Sequence, residues 1–75
     1  MKAEQFSLFT DFIRLDNLLK AAGEVGTGGQ AKLVIQGGEV LVNGAVCTER
    51  GKKLRGGDTV TFENTTYTVV KDEGR

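Results

Sequence analysis

The stretch Gly38-Glu39-Val40-Leu41-Val42-Asn43-Gly44-Ala45-Val46-Cys47 decides how the chain folds, because the hydrophobic period changes there from helical to extended. Val40 to Val42 and Ala45 to Cys47 are short β-prone runs separated by Asn-Gly. That pair tolerates positive φ at both central positions of a two-residue turn, so the spacing predicts a tight hairpin.

Working upstream, Gly37-Gly38 would end a helix carrying Ala31, Val34 and Ile35 on its inner face. Thr27 and Gln30 have capping-box spacing at its start. Before it, Leu15, Leu18, Leu19 and Ala22 follow the i, i+3, i+4, i+7 pattern of a helix with one buried face. Asp16 falls in its first turn and Lys20 toward its end, where each suits the helix dipole. Gly23 is a natural stop. Phe6, Leu8 and Phe9 read as a short extended lead-in.

Downstream, Glu49 to Arg55 is a basic loop whose apolar content is little more than Leu54. Gly56-Gly57-Asp58 marks a turn. Thr59 to Phe62 and Tyr67 to Val70 alternate around a turn from Glu63 to Thr66, and Lys71 to Arg75 reads as a frayed, charged tail. The expectation is an α+β fold, with two N-terminal helices packed on a small antiparallel sheet. One domain spans 1–75, with its core from about 13 to 70.

Seventy-five residues with formal net charge zero hide an asymmetry. Between Arg14 and Arg55 lie seven bases (Arg14, Lys20, Lys32, Arg50, Lys52, Lys53, Arg55) against four acids, and the flanks carry three bases against six acids. One positive surface between acidic ends suits a phosphate backbone. A run of bases on a loop is usually only a solvated surface. Convergence with Arg14 and Lys32 in an economical packing of the elements gives the run Arg50, Lys52, Lys53, Arg55 its interest.

Other chemistries find little support. The chain has no histidine and one cysteine, so an intrachain disulfide is impossible and a zinc site lacks ligands. No nucleophile–base pair is brought together by the sequence. No enzyme activity, metal or small-molecule cofactor is expected. Gly26-Thr27-Gly28-Gly29-Gln30-Ala31 matches the loose dinucleotide fingerprint, but a helix precedes it where a strand is required. Glycines at that helix start leave backbone N–H groups open to a phosphate oxygen, which makes Gly28 a candidate contact. Without a leader or an apolar run near ~20 residues, a cytoplasmic, reduced, monomeric protein away from membranes is expected. Cys47 then reads as a small hydrophobe on a strand. Tyr67 and the four phenylalanines read as core.

Taken together, four blocks are similar to the S-four RNA-binding domain, also called the alpha-L motif. They are Arg14-Leu15-Asp16-Asn17-Leu18-Leu19, Ala31-Lys32 before Ile35, Gly38 to Gly44, and Leu54-Arg55-Gly56-Gly57-Asp58. The resemblance runs from about Ile13 to Phe62. Thr27 to Lys32 and Arg50-Gly51-Lys52-Lys53 look most like small free-standing bacterial members, whereas larger relatives are fused to a pseudouridine synthase or a tRNA synthetase. The resemblance implies binding of structured RNA, ribosomal or tRNA-like, through the two-helix face and the loop after the Asn-Gly turn. It would give Arg14, Lys32, Lys52, Lys53 and Arg55 backbone contacts, with Arg50 and Lys20 in support. Many members carry arginine where this chain has Gly28, so a bidentate phosphate ligand is absent there.

Two rival readings belong to other functional classes. A β-grasp sulfur carrier or ubiquitin-like protein also has a Val-Asn-Gly turn and a late Gly-Asp. Its chemistry needs a C-terminal Gly-Gly, and this chain ends Asp72-Glu73-Gly74-Arg75. A basic protein-interaction module with an acidic partner is the other. With aromatics assigned to the core, recognition by shape and phosphate is expected rather than stacking on splayed bases.

Overall fold

A computed structural model describes residues 2–72. The elements run β1 (Lys2–Leu8), β2 (Ile13–Arg14), α1 (Leu15–Ala21), α2 (Gly28–Gln36), β3 (Val40–Val42), β4 (Ala45–Val46), β5 (Lys53–Leu54), β6 (Thr59–Phe62) and β7 (Thr65–Lys71). The fold is α+β, as expected, but the helices are not N-terminal: β1 and β2 precede them. Nor is the sheet antiparallel throughout. Its order is β1-β7-β6-β3-β4, and β1 pairs parallel with β7 from Lys2↔Thr65 to Leu8↔Lys71. A second, two-stranded sheet pairs β2 with β5.

Each helix is built as its residues dictate. The α1 stripe buries Leu15, Leu18 and Leu19 completely, and Gly23 follows at φ +80°, where a side chain would be strained. At α2, Thr27 Oγ1 accepts the Gln30 N–H at 3.1 Å. The Gln30 carboxamide reaches one residue further back than the usual box and accepts the Gly26 N–H at 2.7 Å. Ala31 and Ile35 are fully buried, and Val34 packs against them from the rim.

The Asn-Gly hairpin forms as predicted, with Val42 opposite Ala45 and φ of 53° at Asn43 and 86° at Gly44. Cys47 lies one residue past β4, but its N–H still donates to the Val40 carbonyl at 3.0 Å. The closing turn is shorter than expected. Phe62 pairs directly with Thr65, leaving only Glu63-Asn64 as the loop, with Glu63 at φ 55°.

Leucines of α1, Ala31 and Ile35 of α2, and the inner residues of β3, β6 and β7 form one core, which Leu8 of β1 and Leu54 of β5 complete. Truncating one of its leucines would cost about 2–5 kcal/mol, a large share of the stability a domain this small commands. Lys71, expected in a frayed tail, is instead the last residue of β7. Its ammonium donates to the Thr10 carbonyl at 2.7 Å and pairs with Asp11 at 3.5 Å. Glu73, Gly74 and Arg75, on which the sulfur-carrier reading turned, lie outside the described residues.

Candidate nucleic-acid interface

Five of the eight candidate residues are drawn together by one small sheet and one buried carboxylate. In β2 and β5, Ile13 pairs with Leu54 and Arg14 with Lys53, so the Arg14 and Lys53 backbones lie side by side. The start of α1 extends that pairing: the Leu15 and Asp16 N–H groups donate to the carbonyls of Lys52 and Arg50, at 2.9 and 3.1 Å. Two orphan amides of the first helical turn are thereby satisfied by the basic segment itself. The segment read as a loop is therefore partly a strand, anchored to the helix it faces.

Asp16 organises the centre. Its side chain is 7% exposed, with Arg14 Nη2 at 3.1 Å and Arg50 Nε at 3.4 Å. Its other oxygen accepts the Asn17 N–H at 2.8 Å. A carboxylate this deeply buried requires such partners. The arginine side chains remain 45% and 42% exposed, so each keeps N–H groups facing water while its position is held. Asp16 was read from the sequence only as a helix-dipole partner, and this role was missed. The Arg14-Leu15-Asp16 spacing, which lets the arginine fold back on the carboxylate two residues on, is the signal that points to it.

A second interaction ties the Asn-Gly turn to the Gly-Asp turn. Asn43 Nδ2 donates to Asp58 Oδ1 at 3.2 Å, and Asn43 Oδ1 accepts the Thr59 N–H at 3.0 Å. Asp58 Oδ2 in turn accepts the Arg55 N–H at 2.9 Å. The Arg55 amide bond, then the Asn43 bond, hold the Asp58 carboxyl below its ordinary pKa, with smaller help from the charges of Lys52 and Arg55. Arg55 is thus fixed by its backbone while its side chain stays exposed.

The aromatic expectation holds in part. Phe62 and Tyr67 are buried, and Phe6 packs against the core. The Tyr67 hydroxyl donates to Glu24, and burial together with that carboxylate pushes its pKa up to about 12. Phe9 and Phe12, however, are 70% and 38% exposed. Neither ring belongs to the core cluster or to the residues packed against it. Lys53 Nζ lies 4.9 Å and Arg55 Cζ 5.8 Å from the centre of the Phe12 ring.

The remaining three candidates stand apart from this cluster. Lys20 is exposed in the last turn of α1, and Lys32 is exposed on α2 beside the buried Ala31. Neither carries an ion pair among the described residues. Gly28 is the first residue of α2, its φ is not positive, and no atom lies within 4 Å of where a Cβ would stand. The packing of α1 on α2 is what relates these three to Arg14 and the 50–55 segment.

Comparison with known proteins agrees with this architecture. The S4 domain family matches residues 6–70. A Bacillus subtilis (strain 168) protein named Probable ribosome maturation protein RlbA is 41% identical over 61 residues, 81% of this chain and 86% of that protein. YbcJ of Escherichia coli (strain K12) is 41% identical over 58 residues, 77% of this chain and 83% of its own. The solution structure of the E. coli YbcJ protein, described as revealing an alpha-L motif involved in RNA-binding, superimposes with a TM-score of 0.68 at 40% identity. That superposition covers 88% of this chain and 85% of YbcJ. With the helix pair, the Asn-Gly hairpin and the Arg-Leu-Asp helix start in place, the chain belongs to the S4 domain family.

Proposed function

We propose that this protein is a non-catalytic, monomeric RNA-binding protein of the cytoplasm, contacting structured RNA chiefly through phosphates. The observation that carries the reading is the cluster around Asp16, inside a fold shared with an RNA-binding relative. Arg14 and Arg50 are held by one carboxylate with their outer N–H groups free, and Lys52, Lys53 and Arg55 follow within five residues. Guanidiniums fixed in this way meet phosphate with less loss of side-chain freedom than mobile lysines. Lys20, Lys32 and the open amides at Gly28 would extend the contact along the helix pair.

Ribosomal RNA is the favoured class of structured RNA, because the Bacillus relative is named for ribosome maturation. A tRNA-like fold presents the same spaced phosphates and is the second choice. Membrane partners have no part in this reading; no helix among the described residues is long and apolar enough to cross a bilayer. The test is a pair of titrations, with an RNA hairpin and a single strand of equal length, each repeated across salt concentrations. Tighter binding of the hairpin with a steep salt slope is expected. Preference for the single strand, or a slope near zero, sinks the reading.

A further inference from the structure

The exposed Phe12 ring, over which Lys53 and Arg55 place their charges, is not used by a purely phosphate-reading surface. We infer that Phe12, with Lys53 and Arg55, forms a stacking site for one unpaired nucleotide of the bound RNA, an inference that rests on the RNA-binding reading above.

Phe12 is not loosely placed. It immediately precedes the Ile13↔Leu54 pair, so continuing the antiparallel register sets Phe12 opposite Arg55. On its other side the turn is tied down twice: Thr10 Oγ1 donates to the Phe12 carbonyl at 2.8 Å, and Lys71 donates to the Thr10 carbonyl. An apolar ring held at 38% exposure beside a strand of bases is costly to leave in water. Core packing does not explain it, because the ring stands outside the core and its neighbours are charged.

The chemistry of the neighbours identifies the occupant. An aliphatic or protein aromatic group would gain the ring face but leave two cations without an anion. A nucleotide brings both complements, a π-face for Phe12 and flanking phosphates for Lys53 and Arg55. A base inside a helix is already stacked, so the nucleotide must be a bulge, a loop residue or an end.

Two RNA hairpins of identical length and phosphate count separate stacking from charge. One carries a single bulged adenosine; the other carries an abasic residue at that position. The protein should bind the adenosine bulge about tenfold more tightly, the weight of one stacked base. Phe12→Leu, which keeps an apolar side chain over the Lys53 and Arg55 stems, should abolish the difference while leaving the salt slope unchanged. Phe12→Tyr should restore it. Circular dichroism on each variant establishes that the fold persists. Equal, salt-dependent binding of both hairpins by the unaltered protein overturns the stacking site but leaves phosphate recognition intact. An adenosine preference that survives Phe12→Leu also overturns it. Absence of salt-dependent binding to either hairpin overturns the RNA-binding reading, and the stacking site with it.

Discussion

The Asp16 carboxylate, at the start of α1, stands 3.4 Å from Arg50 Nε, in a segment thirty-four positions further along the chain. The same oxygen lies 3.1 Å from Arg14 Nη2. An acid at the centre of a positive surface lowers its total charge, yet it fixes where two of its guanidiniums stand. These two effects make opposite predictions for an isosteric neutral variant.

Asp16→Asn adds one positive charge to the surface, so simple attraction would tighten RNA binding. We expect weakening instead, by about fivefold or about 1 kcal/mol, because both arginines lose their orienting charge. Stability should fall by about 1–2 kcal/mol, since the side chain keeps the Asn17 bond but loses both ion pairs. Fluorescence titration with an RNA hairpin and a urea melt measure the two effects. Tighter binding by Asp16→Asn would show that net charge outweighs position.

The outlying bases are separated from the cluster by their salt dependence. Lys32→Ala should lower the slope of log K against log salt by roughly 0.7 to 0.9, for all RNA sequences alike. Lys71, with its contacts to Thr10 and Asp11, cannot serve as a neutral comparison. Lys2 can. It is exposed at the start of β1 and lies outside the basic 14–55 segment. Equal losses from Lys2→Ala and Lys32→Ala would mean diffuse attraction in place of a localised contact.

Gly28→Arg puts at the start of α2 the residue that many similar domains carry. The backbone there has no positive φ and the space is open, so the variant should fold. At this first helical position the exchange should change stability little, because the gain in helix propensity is opposed by a cation at the positive end of the helix dipole. Tighter RNA binding with a slope steeper by roughly 0.7 to 0.9 is expected. An unchanged slope in a folded variant would remove the N-terminus of α2 from the interface.

The Asn43–Asp58 link predicts a dependence on acid. The Arg55 amide and then the Asn43 carboxamide favour the charged carboxylate, so the folded pKa lies below the unfolded value of about 3.9. The stability this confers is complete above the unfolded value and is lost as pH falls through the folded one. At pH 7, Asp58→Ala should cost about 1–2 kcal/mol, and the gap from the unaltered protein should narrow as pH drops below 4. Thermal melts at a series of pH values measure it. A gap that stays constant into strong acid would show that the carboxylate's charge is immaterial.

Much of the fold was legible because it depends on local pattern. The α1 stripe, the Thr27 cap, the Asn-Gly hairpin and the alternation of Thr59 to Phe62 are all short-range, and all appear where their residues place them. The Glu63-Asn64 turn was misjudged because Glu at positive φ is uncommon, and nothing in its chemistry announces a two-residue loop. The parallel partner of β1 was not legible at all. Alternation tells which face of a strand is buried, and it is silent on which neighbour the strand joins or in which direction.

The candidate surface divides in the same way. By itself the sequence determined that seven of ten bases fall between Arg14 and Arg55, on a chain whose motifs are those of an S4 domain. Only the tertiary structure decided which bases meet. Pairing β2 with β5 sets Arg14 beside Lys53, and the buried Asp16 draws in Arg50, while Lys20 and Lys32 stay on the helices. Only the tertiary structure, too, left Phe12 outside the core. Hydrophobicity says that a ring gains by burial, but a core of this size has a fixed inner surface, and the β2–β5 register turns that ring toward Lys53 and Arg55.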